Sequence, residues 1–140
     1  MKVFFDTNVI LDALTERDNS YRPSQRLVRY VVSGSITGYI SAKQLTDIYY
    51  CLKKYFSDEK QRRKLIRVIL DTFEIIPTLK SDIRYCLNSD IKDLEDALID
   101  EICHVNCIDY LVTNNVKDFQ KGKSVLFTPE QLVTILEVEK

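Results

Sequence analysis

"KVFFDTNVILDAL", Lys2–Leu14, changes period partway along. Lys2–Phe5 is a short apolar run of strand type that stops at Asp6. From Val9 the spacing becomes helical, with Val9, Ile10, Ala13 and Leu14 along one face. A strand that passes through one polar corner, Asp6-Thr7-Asn8, straight into a helix predicts a β–α unit.

The rest of the chain repeats that unit. "TGYIS", Thr37–Ser41, reads as a second strand, followed by the helix "AKQLTDIYYCLKKYF" with Leu45, Ile48, Leu52 and Tyr55 on its buried side. Before it, Ser20 is an N-cap candidate for a helix with Pro23 in its first turn, running to about Ser33. Residues 58–72 form a further helix. "FEII", Phe73–Ile76, is a third strand closed by Pro77. Helices near 80–88 and 93–107 precede "YLVT", Tyr110–Thr113, and "SVLF", Ser124–Phe127, is a fifth strand. Thr128 then caps the last helix, with Pro129 at its first position. Short apolar strands alternating with helices predict an α/β fold: a parallel sheet of four to five strands covered on both faces, in one domain over residues 1–140.

Composition narrows the class. The 140 residues are 45% hydrophobic and 29% charged with net charge -1, so no global field draws the chain to nucleic acid or an anionic membrane. No apolar run approaches the ~20 residues of a membrane span, and Asp6 comes too early for a signal peptide. Cys51, Cys86, Cys103 and Cys107 show no disulfide framework. "CHVNC" (Cys103, His104, Cys107) lacks a second ligand pair for zinc and reads as core cysteine in a helix. A reducing, cytoplasmic location is expected.

In parallel sheets, sites form at the carboxyl ends of strands, near a switch in strand order. Here those ends are acidic. The first strand delivers Asp6-Thr7-Asn8. The second delivers Ser41, then Asp47 in the following helix. The fourth ends at Thr113 and runs into Asn114, Asn115 and Asp118, while the helix before it carries Asp93, Asp96 and Asp100 opposite Leu94, Leu98, Ile102 and Val105. Each has a plainer reading: a cap, a solvated flank, an amphipathic stripe or a turn. As a set they are carboxylates that would repel unless a cation lay between them. Asp and Asn oxygens suit Mg²⁺ or Mn²⁺, which can activate water and neutralise a phosphodiester during in-line displacement.

"FFDTNVILDAL", "DLEDALIDEI", "DYLVTNNVKDF" and "LFTPEQLV", in this order, resemble the PIN-domain family across essentially the whole chain. The resemblance is nearest to the prokaryotic branch of VapC-type toxins and PilT N-terminus-like proteins. It implies a three-layer α/β/α sandwich and a Mg²⁺- or Mn²⁺-dependent ribonuclease site holding one or two ions. Asp6 matches the family's first acid, Asp47 falls at the second, Asp96 matches the third, and the Asn115–Asp118 segment supplies the fourth. Thr7, Asn8, Ser41 and Thr113 would support these ligands, with Asp93 as a further contributor. Asp47 is shorter than the usual glutamate, and Asn115 stands where many relatives carry aspartate, so Asp118 is favoured as the charged member there. Family members often dimerise, and the toxins are silenced by an antitoxin.

Substrate would require positive charge outside the acidic pocket. Lys53, Lys54, Arg62, Arg63 and Lys117, with tyrosines close to the first four, are candidate RNA contacts; Arg17 and Arg22 are nearer the strand tips. The alternative reading is a catalytically weakened PIN-like module that binds RNA or protein. A phosphatase of the haloacid dehalogenase type would require a second aspartate where Asn8 stands.

Overall fold

A computed structural model describes residues 1–17, 19 and 21–139; Ser20, the cap expected for the second helix, lies outside them. The described chain runs β1 (Lys2–Phe5), α1 (Thr7–Thr15), α2 (Tyr21–Val32), β2 (Thr37–Ser41), α3 (Ala42–Leu52), α4 (Glu59–Thr72) and β3 (Glu74–Ile76). It continues through α5 (Lys80–Cys86), α6 (Leu94–Val105), β4 (Tyr110–Val112), α7 (Val116–Phe119), β5 (Leu126–Phe127) and α8 (Pro129–Val138). All strand pairings are parallel and the sheet order is β3-β2-β1-β4-β5. The chain therefore builds outward from β1 on one side, then crosses to β4 on the other. That reversal places the switch point between the carboxyl ends of β1 and β4, where Asp6 and Thr113 emerge.

Period-two alternation along β1 feeds a separate apolar layer on each face. Val3 and Phe5 enter the larger one with Ile10, Leu27, Ile48 and Leu132; Phe4 enters the other with Ala97, Ile102, Leu111 and Phe119. All three β1 side chains are fully buried. At roughly 1.5–3 kcal/mol for each large apolar side chain buried, these layers fix the strand against sliding. The expected three-layer α/β/α sandwich is what forms.

Several expectations require correction. The third helix ends at Leu52, not Phe56: the Tyr55 and Phe56 amides both donate to the Leu52 carbonyl and turn the chain. Phe56 then packs on the core while Tyr55 is left exposed. Phe73 closes α4, its backbone amide donating a hydrogen bond to the Ile69 carbonyl, instead of opening β3. Thr113 and Ser124-Val125 fall outside β4 and β5, and the chain after Asn114-Asn115 forms the short helix α7. Of the thiols, Cys86 and Cys103 are buried and Cys51 half-buried, but Cys107 is exposed past the end of α6 with φ 55°.

The α6 stripe holds in part: Leu98 and Ile102 pack on the core and Asp93 and Asp96 line the cleft, but its ends and Asp100 depart from it. Leu94 and Val105 are exposed, whereas Asp100 is 3% exposed and bonded to the loop before β5. Its Oδ1 accepts from the Ser124 amide at 3.0 Å and hydroxyl at 2.6 Å, and the Lys123 amide reaches both oxygens at 3.1 Å. Helix α6 is covered on two sides, so simple apolar-versus-polar spacing misassigns its flanks.

Candidate active site

The corner after β1 holds one carboxylate under unusual constraint. Asp6 is 6% exposed and takes the N-cap position of α1. The Thr7 amide donates to Oδ1 at 2.8 Å; the Thr113 hydroxyl and the Asn8 amide nitrogen donate to Oδ2 at 2.7 and 3.1 Å. Burial pushes the Asp6 carboxyl above its usual range, opposed by these three donors, with Asp118 adding a smaller upward push. Two effects thus compete on one group: desolvation disfavours its charge, and hydrogen bonds favour it.

Thr113 explains the polar tip of β4. Its single hydroxyl proton goes to Asp6 while its oxygen accepts the Asn115 amide at 3.0 Å. Asn114 closes the other side, its amide donating to Asn8 Oδ1 at 3.3 Å and its side chain to Asp12 at 2.6 Å. Asp12 also receives Arg17 Nε at 2.7 Å. The loop after β4 is thereby locked to the corner after β1.

Asp96 faces this corner from the first turn of α6. Its carboxyl is pushed up to about 7, first by burial and then by the charges of Asp93, Asp6, Asp118 and Glu95. A carboxyl raised by burial and by neighbouring acids is one whose charge a cation in the cleft would favour. Asp93 is the N-cap of α6, accepting the Asp96 amide at 3.1 Å.

The acids matched to the four family positions, Asp6, Asp47, Asp96 and Asp118, line one open cleft of about 510 Å³ with Asp93, Asn115, Thr7, Asn8 and Ser41; Asp100 does not. Asp47 shares the cleft, but its carboxylate pairs with Lys43 Nζ at 2.9 Å, and Lys43 also bonds Glu95. Thr113 is fully buried just beneath, on Asp6.

Among the described residues, no three metal-binding side chains are already gathered as a ligand set. Mg²⁺ does not demand one: it keeps several waters and is commonly held by one or two carboxylates plus substrate phosphate. Asp6 and Asp96, coupled through charge and open to the cleft, fit that donor set, with Asp118 and Asn115 at the rim.

Sequence reasoning missed Gln44. It is 3% exposed and ties three pieces of the site together: its oxygen accepts the Ser41 amide at 2.6 Å, and its nitrogen donates to the Phe5 carbonyl at 2.8 Å and to Thr7 Oγ1 at 3.3 Å. The signal was present, since Ser41-x-x-Gln44 at a helix start is a capping-box spacing. Lys43 and Glu95 had no comparable signal; only the approach of α3 to α6 brings them together.

The predicted RNA contacts divide. Lys53 Nζ lies 5.1 Å from the ring centroid of Tyr50, an exposed residue on the cleft wall. Arg62 is taken up by the Phe56 and Ser57 carbonyls and lies over Tyr49, and Arg63 pairs with Glu59. Lys54 is exposed beyond α3, and Lys117 stands on α7 beside Asp118.

Thr113→Val is expected to weaken Mn²⁺ binding about 10- to 100-fold, the usual cost of losing a group that supports a ligand. It removes the donor to Asp6 and orphans the Asn115 amide. Calorimetric titration checks this, and Thr113→Ser, which keeps the hydroxyl, should restore affinity.

A buried carboxylate at the switch point of a parallel sheet thus faces a second across an acidic cleft. The PIN domain family model matches residues 2–117, and the chain belongs to that family. Among individual proteins it is similar to "Ribonuclease VapC1" of Aquifex aeolicus (strain VF5), 28% identical over 134 residues and 92% of each chain. VapBC2 from Rickettsia felis, solved bound to a DNA fragment from its promoter, shares the fold with TM-score 0.70 and 22% identity, covering 91% of this chain and 98% of that one. A toxin-antitoxin complex from Klebsiella pneumoniae matches with TM-score 0.68 and 25% identity, over 91% and 97% of the two chains.

Proposed function

We propose that this chain is a divalent-metal-dependent endoribonuclease acting as the toxin of a toxin-antitoxin pair, with Asp6 and Asp96 as the central metal-holding residues. The observation that carries the reading is the pairing of buried Asp6 with Asp96, whose carboxyl is pushed up to about 7 by burial and neighbouring acids. A relative named as a ribonuclease and a solved toxin-antitoxin complex of similar fold support RNA as the substrate class and an antitoxin as the partner. When bound, Mg²⁺ or Mn²⁺ supplies a water activated for attack and neutralises charge on the phosphodiester. Thr113, Thr7 and Asn8 hold Asp6 with both oxygens directed, and Asn115 and Asp118 close the far wall. No nucleophilic side chain is required. An antitoxin would act by covering the cleft; a homodimer is compatible with an open cleft on each copy.

The competing reading, a PIN-like module that binds without cleaving, draws on one feature: Asp47, at the family's second acid position, is neutralised by Lys43.

The test is calorimetric titration of Mn²⁺ into the wild type across pH. Because the ion must displace a proton from Asp96, apparent affinity should rise about tenfold per pH unit up to about 7 and then level off. Stability of the metal-free protein has the opposite sign. Between pH 3.8 and about 7 the folded chain retains a proton that the unfolded chain has lost, so stability falls as pH rises through that window. Mn²⁺ should restore it above pH 7, read as a raised Tm. Absence of saturable Mn²⁺ binding, with or without a single-stranded RNA pool present, would favour the non-cleaving module.

A further inference from the structure

A second open cavity of about 410 Å³ adjoins the cleft, its wall carrying Lys92, Lys117 and Lys121 together with Asp90. It shares Asp93, Asp96 and Asp118 with the first, so the two cavities meet at the acids. The lysines come from two segments: Lys92 precedes the α6 cap, and Lys117 and Lys121 lie one turn apart on and just beyond α7. All three are exposed, and none forms an ion pair among the described residues.

The cations of the first cleft differ. Arg17 is committed to Asp12, and Lys43 to Asp47 and Glu95. What that side offers instead is Tyr50, 72% exposed on the wall with Lys53 over its ring. Three lysines without ion pairs thus gather on one side of the acids, whereas the other side offers an exposed aromatic ring with a single lysine, Lys53, over it. Three unpaired ammonium groups beside acids suit a polyanion that brings its charge to metal and lysines together. An exposed tyrosine with an adjacent cation suits an unpaired base.

Building on the ribonuclease reading above, we propose that single-stranded RNA crosses the acid cluster in one polarised track. The phosphates on one side of the scissile bond are held by Lys92, Lys117 and Lys121, and a base on the other side stacks on Tyr50. The lysine side contributes charge and the tyrosine side contributes stacking, so the two halves respond differently to salt.

The experiment is fluorescence anisotropy with a labelled pool of random-sequence 12-nucleotide RNAs, in Ca²⁺ instead of Mg²⁺, over a range of KCl concentrations. Replacing all three lysines by alanine should lower affinity and flatten the slope of log K against log[salt] by about 2, at roughly 0.7 for each phosphate contact. The triple Lys→Arg variant should restore the slope. Tyr50→Ala should lower affinity about tenfold while leaving the slope unchanged. An unaltered slope in the triple alanine variant, with wild-type binding intact, overturns the track but leaves the ribonuclease reading standing. Wild-type protein that binds Mn²⁺ but neither binds nor cuts the RNA pool overturns both.

Discussion

Asp96→Asn and Asp6→Asn are each expected to lower RNA hydrolysis by about three orders of magnitude, while moving stability in opposite directions. The rate effect follows from the several kcal/mol that a correctly held ion contributes, at about 1.4 kcal/mol for each tenfold in rate. The stability effects follow from what each carboxylate does in the metal-free fold. Asp96 is desolvated and repelled by Asp93, Asp6 and Asp118. Its neutral isostere relieves that repulsion, so Asp96→Asn should raise the Tm above pH 7. Asp6 is also desolvated, but three donors converge on it. An amide there points an NH₂ at one of those donors, and Asp6→Asn should cost about 1–2 kcal/mol. Rate on an RNA pool and Tm in the same buffers check both. Opposite stability shifts with a shared loss of rate separate a metal site from a folding lesion. Retained hydrolysis in Asp96→Asn would remove the acid pair from the mechanism.

How far this was visible in the sequence depends on how local each cause is. The β–α alternation was legible because apolar period and polar corners are set within a few residues, and the switch-point rule then turned strand ends into a site. Asp6, Asp96 and Asp118 were proposed that way, the family resemblance ordered them, and the fold brings all three to one cleft. What was not legible depends on distant partners. Whether Asp47 faces a metal or a lysine is decided by Lys43 and by Glu95 from another helix. Gln44 was overlooked because a capping-box glutamine normally satisfies only its own helix, whereas here it also reaches the end of β1. The lysines of the second cavity are separated by the whole of α6 and β4, so no window of sequence contains them all. Asp100 shows the limit most clearly. Its spacing from Asp96 predicts a shared face, yet a loop more than twenty residues away claims it.

Asp100→Ala is therefore expected to be a stability mutation with no effect on metal. The carboxylate gathers the Lys123 amide, the Ser124 amide and the Ser124 hydroxyl, which orient the approach to β5. Gly122 belongs to the same device: a Cβ there would sit 2.5 Å from the Asp100 carboxyl carbon, so only glycine lets the loop close over the acid. Removing the carboxylate relieves the cost of burying it but leaves three donors without a partner, at roughly 1–3 kcal/mol for each group left unsatisfied. Water entering the partly buried loop offsets some of that. The net loss should be about 2–3 kcal/mol, or about 7–10 °C in Tm for a domain of this size. Gly122→Ala should unfold at a similarly lowered temperature by displacing the carboxylate instead of deleting it. Asp100→Asn keeps an acceptor and should cost about 1 kcal/mol. Mn²⁺ affinity, measured well below each Tm, should match wild type in all three. A loss of Mn²⁺ affinity in Asp100→Asn with Tm unchanged would instead return Asp100 to the metal site, because an anchor for the 122–124 loop cannot be weakened without the fold registering it.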